Sequence, residues 1–141
     1  MMDTADLEQA IADIACAWAK QHLATALWFR VNAFGRGEIE LRSKKAEATG
    51  DALILALRLN HEQRQVYLTN IFLPQTLRRR GIGKALIDAI RAEVSMQGYS
   101  LFATDLVPSL YERLVRRGAA IVIVDHAVMI TAETDLSHHH D

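Results

Sequence analysis

The passage from Val66 to Val94 limits most sharply what this chain can fold into. Val66-Tyr67-Leu68-Thr69-Asn70-Ile71-Phe72-Leu73-Pro74 is a strand-forming run, and after Gln75-Thr76-Leu77 comes the turn Arg78-Arg79-Arg80-Gly81-Ile82-Gly83. From Lys84 onward Ala85, Leu86, Ile87, Ala89, Ile90, Ala92 and Glu93 favour helix. A helix that opens at glycines directs several amide N–H groups outside its own ladder, and the positive end of its dipole, at whatever precedes it. Phosphate is the usual anion held in this way, and glycine keeps a Cβ out of the ligand's path. Three consecutive arginines are more often a solvated surface, but their place beside such a helix start shifts that balance.

Other glycine loops fit less well. A dinucleotide-binding turn needs its first glycine almost at the strand end and a third small residue three positions after the second. Here Pro74 to Arg80 intervene and Leu86 occupies the third position. Gly81-Ile82-Gly83-Lys84 also lacks the four-residue spacing of a Walker loop. A purely structural turn remains the plain alternative.

The rest of the chain supplies a sheet and helices for this segment. Leu7, Ile11, Ile14 and Trp18 form one helical stripe, which Asp3 or Thr4 can cap. Leu27, Phe29, Val31 and Ala33 then alternate as a strand, and Gly35-Arg36-Gly37 turns the chain into Glu38 to Arg42. Ser43 to Asp51 reads as a loop, Leu53, Leu55, Leu57 and Leu59 as a strand, and Asn60 to Arg64 as the turn into the strand ending at Leu73. After the long helix, Gly98 is a stop, Leu101 to Ala103 a short strand, and Pro108 the first residue of a helix that Gly118 ends. Ala120 to Val124 and Ala127 to Ile130 form a closing hairpin. This order predicts one α+β domain over residues 1–134 around a mostly antiparallel sheet, with 135–141 as a polar tail.

Composition narrows the class. A chain of 141 residues can bury a core without disulfides or metal, and its apolar fraction of 50% argues against disorder. A net charge of −1 argues against a nucleic-acid partner. The lone Cys16 reads as a small buried residue. An acidic N-terminus and the lack of a long apolar run predict a cytoplasmic protein with no membrane partner. His138, His139 and His140 are given no function, and no metal site is expected.

Leu73-Pro74-Gln75-Thr76-Leu77-Arg78-Arg79-Arg80-Gly81-Ile82-Gly83-Lys84-Ala85-Leu86 resembles the acyl-CoA signature of the GNAT superfamily of acetyltransferases. That signature is a strand, a proline-containing turn, then R/Q-x-x-G-x-G/A at a helix start. The match runs from about Tyr67 to Val94, with a weaker one over Ser100 to Gly118. The resemblance implies a GNAT-like mixed sheet, mostly antiparallel, with helices on both sides. It implies acetyl-CoA as cosubstrate, with backbone groups of Ile71, Phe72 and Leu73 meeting the pantetheine arm. The pyrophosphate would meet Arg78, Arg79, Arg80, Gly81, Ile82, Gly83 and Lys84. Gly83→Val would then obstruct the pyrophosphate while leaving the core intact.

The implied reaction is acetyl transfer to a primary amine of a small molecule or protein by direct attack. A backbone N–H near Leu73 would face the developing oxyanion. Tyr111 is the general acid the resemblance favours, although the family's tyrosine position falls at Leu114, one turn later. No base is assigned; Asp105, Glu38, Glu40, His61 and His126 are the titratable candidates. The chain departs from the family at the front, where one helix precedes all the strands instead of a strand followed by two helices. A non-catalytic acyl-CoA-binding module is therefore the alternative, and a homodimer stays open.

Overall fold

The computed structural model describes residues 4–23, 28–33, 37–44, 50–73, 80–105 and 108–136. Along them run helix α1 (Thr4–His22), strands β1 (Trp28–Ala33), β2 (Glu38–Lys44), β3 (Ala52–Asn60) and β4 (Gln65–Ile71), and helix α2 (Ile82–Met96). Strand β5 (Ser100–Ala103), helix α3 (Pro108–Arg116) and strands β6 (Ala120–Ile123) and β7 (Ala127–Ile130) follow. The expected α+β domain is present as a seven-stranded sheet in the order β1-β2-β3-β4-β5-β7-β6. Strands β4 and β5 are parallel, joined through α2, and the other neighbouring pairs are antiparallel.

Strand alternation decides which residues make the core. Register aligns Ile39 and Leu41 with Leu57 and Leu55, Leu57 with Leu68, Val66 and Leu68 with Leu101 and Ala103, and these with Ile130 and Val128. All ten are buried on one face. Leu7, Ile11, Ala15 and Trp18 of α1 and Leu86, Ile87, Ile90 and Val94 of α2 join them in a continuous cluster. Each such aliphatic side chain contributes roughly 1.5–3 kcal/mol when removed from water. Helix α3 adds Tyr111 and Leu114 to the same cluster. The opposite face carries Arg58, Tyr67 and Phe102 in register, with the rings of Tyr67 and Phe102 stacked 5.5 Å apart.

Several boundaries differ from the sequence expectation. Strand β2 runs on to Lys44, because Ser43 pairs with both Phe29 and Ala52 and is buried there. Strand β4 ends at Ile71 instead of Leu73. Asp135 and Leu136, placed above in the tail, pack on the domain: Asp135 donates its N–H to the Arg117 carbonyl at 2.7 Å and Leu136 lies in the core. The Gly35-Arg36 part of the first turn and the terminal histidines lie outside the described residues.

Candidate acyl-donor site and cleft

Strand β4 is interrupted by one extra residue. Leu57 pairs with Leu68 and Ala56 with Asn70, which leaves Thr69 as a bulge. A bulge shifts the in–out phase of the strand beyond it. Phe72 donates its N–H to the Ile54 carbonyl at 2.8 Å, so the intervening pair Ile71 and Leu55 is of the kind whose own backbone groups turn away from each other. The backbone of Ile71 therefore faces the β5 side. Strand β5 does not extend that far: its last links to β4 are the pair Ala103 with Leu68 and the Thr104 N–H to the Leu68 carbonyl, at 3.0 Å. The two parallel strands part company just where the chain heads for α2.

The Phe72 N–H is already used by β3. The Phe72 side chain is 46% exposed at this strand end. Thr69 and Asn70 also turn their side chains to β3, donating to the carbonyls of Ala56 and Leu53 at 3.3 Å each.

Helix α2 starts without a conventional cap. Gly81 stands at the N-cap with φ 73°, makes no side-chain capping bond, and no acidic residue occupies the first turn. A left-handed φ of this kind costs a residue with a Cβ roughly 1–2 kcal/mol, so the turn favours glycine. Ala85 donates to the Gly81 carbonyl at 3.0 Å, which leaves the amides of Ile82 and Gly83 ahead of the helical ladder. Gly83 has a different reason for lacking a side chain. A Cβ there would come within 2.8 Å of Leu73 Cδ1. Gly83→Val thus pushes on Leu73 as well as on any ligand, and is not the clean obstruction expected from sequence. Arg80 is exposed beside this turn, while Arg78 and Arg79 lie outside the described residues.

Helix α1 holds the α2 start in place. Trp18 donates its indole N–H to the Ile82 carbonyl at 2.9 Å. Sequence periodicity placed Trp18 in an apolar stripe and gave no sign of this polar contact. Tyr111 lies in the first turns of α3, shortly after β5 ends, and is only 7% exposed.

On the sheet face carrying Tyr67 and Phe102, a cleft of about 620 Å³ runs from the β3–β4 turn to the end of β5. Its polar lining includes Arg58, Asn60, His61, Glu62, Thr69 and Asp105, with Tyr67 between the two ends. Of the five titratable candidates named from sequence, His61 and Asp105 line this cleft. Glu40 instead binds Arg42 at 3.0 Å, and Arg42 also reaches Asp51 at 3.2 Å. The Glu40 hydrogen bond is the main reason that the Arg42 guanidinium is raised above its ordinary pKa. Glu38 and His126 are exposed, Glu38 on β2 and His126 in the β6–β7 turn. Asp105 has φ 56°, a left-handed conformation that aspartate tolerates better than most residues. Sequence reading missed Arg58 and Thr104 as lining residues, since an arginine on the outward face of a strand is ordinary.

No family model and no curated protein matches the chain. Among solved structures it is similar to nourseothricin acetyltransferase, with a TM-score of 0.44 and 13% identity over 78% of this chain and 90% of that one. It is also similar to a protein of Agrobacterium tumefaciens described as a candidate acetyltransferase, with a TM-score of 0.42 and 16% identity over 92% and 91% of the two chains. Likenesses this distant assign no activity.

Proposed function

We propose that this chain is an acetyltransferase of the GNAT type that moves an acetyl group from acetyl-CoA to a primary amine. The observation that carries the proposal is the parting of β4 from β5 beside the uncapped start of α2. That arrangement offers a strand edge at Ile71 and an anion-favouring helix terminus a few residues later in the chain. The residues present fit CoA: Arg80, with Arg78 and Arg79 preceding it in sequence, supplies cations, and Ile82 and Gly83 supply amides.

When bound, acetyl-CoA supplies an activated acyl carbon as its thioester. The chain has then to hold the amine against that carbon, take one proton from the attacking nitrogen as the C–N bond forms, and give one to the thiolate as the C–S bond breaks. Asp105, at the end of the cleft beside the strand divergence, is the proposed proton acceptor, and Tyr111 is the proposed donor. The acceptor enters from the cleft face, opposite the buried side of the sheet. A soluble, cytoplasmic setting belongs to the same proposal; among the described residues no helix is long and apolar enough to cross a membrane.

Titration with CoA tests the donor site directly. At a hundredfold excess over the dissociation constant, linkage gives about 2.7 kcal/mol of stabilisation, visible as a raised Tm. Release of free thiol on adding amines then separates an enzyme from a module that only binds. Millimolar CoA that neither moves the Tm nor gives calorimetric heat would refute the proposal.

A further inference from the structure

The cleft carries opposite charges that form no ion pair among the described residues. Arg42, Glu40, Arg30 and Asp51 satisfy one another in ion pairs of 3.0–3.6 Å on the neighbouring strands. Arg58 and Asp105, by contrast, have no ionic partner within 4.0 Å among the described residues, and both line the cleft. Glu38 stands across from Arg58 in register without closing an ion pair. Asp105 follows directly on the last β4–β5 link, at Thr104, and so marks the end of the cleft beside the strand divergence. Arg58 lies toward the other end, on the face shared by Tyr67 and Phe102.

From these positions we infer that the acceptor is a small amine that also bears a carboxylate. This rests on the acetyl-transfer proposal for its reaction but on the cleft alone for its binding. Arg58 sits two strands from β5, and Asp105 lies three residues beyond Phe102, which aligns with Tyr67 and Arg58. Two strand spacings put the Cα atoms of Arg58 and Phe102 about 10 Å apart, and Asp105 lies farther on, past the end of β5. A long arginine and a short aspartate reaching inward narrow that gap to the length of an amino-acid-like molecule. Asp105 would hold the amine end near the acyl donor, and Arg58 the carboxylate, for which a planar guanidinium is suited. Tyr67, between them, would flank the aliphatic stretch. Arg58 is the specificity residue in this scheme: a simple diamine has nothing to offer it and meets like charge.

Calorimetry on the full chain, with and without CoA, decides the matter using amine pairs that differ by one carboxylate. L-lysine is compared with cadaverine, and γ-aminobutyrate with propylamine. The carboxylated member of at least one pair should bind about tenfold or more tightly than its partner, as a charge-assisted pair provides. Arg58→Gln, on an exposed side chain, should erase that preference, and Asp105→Asn should weaken both members alike. Cadaverine binding better than L-lysine would overturn the inference in favour of a dication held by Glu62 and Asp105. So would a preference that survives Arg58→Gln, or no binding by any of the four amines. Loss of CoA binding with the carboxylate preference intact would instead overturn the acetyl-transfer proposal and leave the cleft assignment standing.

Discussion

Glu8 is a carboxylate buried in α1 among Leu7, Ile11 and Ala12, and a backbone group accounts for its presence. Its Oε1 accepts the Gly37 N–H at 2.8 Å, and its Oε2 lies 3.8 Å from His61 Nε2. His61 Nδ1 in turn meets the Tyr99 hydroxyl at 2.8 Å. His61 Nε2 is buried with no hydrogen-bond partner among the described residues, and the Glu8 carboxylate is the negative charge beside it. Glu8→Ala leaves the Gly37 amide without an acceptor and should cost about 1–3 kcal/mol in urea unfolding, whereas Glu8→Gln keeps an acceptor and should recover much of that. An Ala variant as stable as the parent would show that the knot is incidental. Nothing in the sequence marks Glu8, because a glutamate in the first turns of a helix ordinarily serves the dipole. Tyr111 was legible as a candidate for the opposite reason, its place in a motif. Tyr111→Phe removes only the hydroxyl, so the ring keeps its core packing and acetyl-CoA affinity should hold. If Tyr111 protonates the thiolate, kcat should fall by roughly a hundred- to ten-thousandfold. A loss within a factor of about three, well below that range, would make it a packing residue.

Elements were legible where one periodicity persisted and illegible where a neighbour reset it. The stripe of α1 and the alternation of β3 follow from apolar spacing, since each buries the face that spacing defines. The bulges did not: Ile54 on β3 and Thr69 on β4 are extra residues only relative to a partner strand, and single-strand alternation contains no partner. The contact between α1 and α2 belongs to this scale as well. Glu8 near the start of α1 is linked through His61 to Tyr99, just past α2, while Trp18 near its end reaches Ile82, so the two helices run in opposite directions. Helix α1 thereby braces the α2 terminus that the acyl-donor proposal depends on. Trp18→Phe keeps an aromatic ring in the core and removes the bond to the Ile82 carbonyl. It should lower stability by about 0.5–1.5 kcal/mol, the net worth of one such bond. CoA affinity should fall with it, whereas Ile90→Ala, a core truncation away from the loop, should destabilise more and leave CoA affinity unchanged. Equal CoA affinity in parent and Trp18→Phe would dissociate α1 from the donor site.

At the scale of the molecule, the donor site was readable because its strand, turn and helix are contiguous in sequence. The cleft was not, because Arg58, Tyr67 and Asp105 come from three strands or strand ends whose alignment exists only in the folded sheet. The sheet's outer edge was equally silent. Among the described residues strand β6 pairs with β7 alone, and Ile121, Val122, Ile123 and Val124 are 51%, 51%, 56% and 67% exposed. Consecutive strand residues point to opposite faces, so exposure of Ile121, Val122 and Ile123 leaves this strand uncovered on both sides among the described residues. Natural edges are usually protected by lysine, proline or a covering element, and residues 120–124 contain neither lysine nor proline. A strand with no charge of its own can pair antiparallel with a second copy of itself without repulsion. The expected outcome is self-association of the parent chain, seen as a mass that rises with concentration in sedimentation. Val122→Lys places a charge on that edge at little cost to the exposed strand. It should hold the mass at the monomer over the same concentrations while leaving the Tm of the dilute protein nearly unmoved. A parent that stays monomeric at its highest soluble concentration would show that the edge is tolerated bare, and a Val122→Lys variant that associates as strongly as the parent would move the contact to another surface.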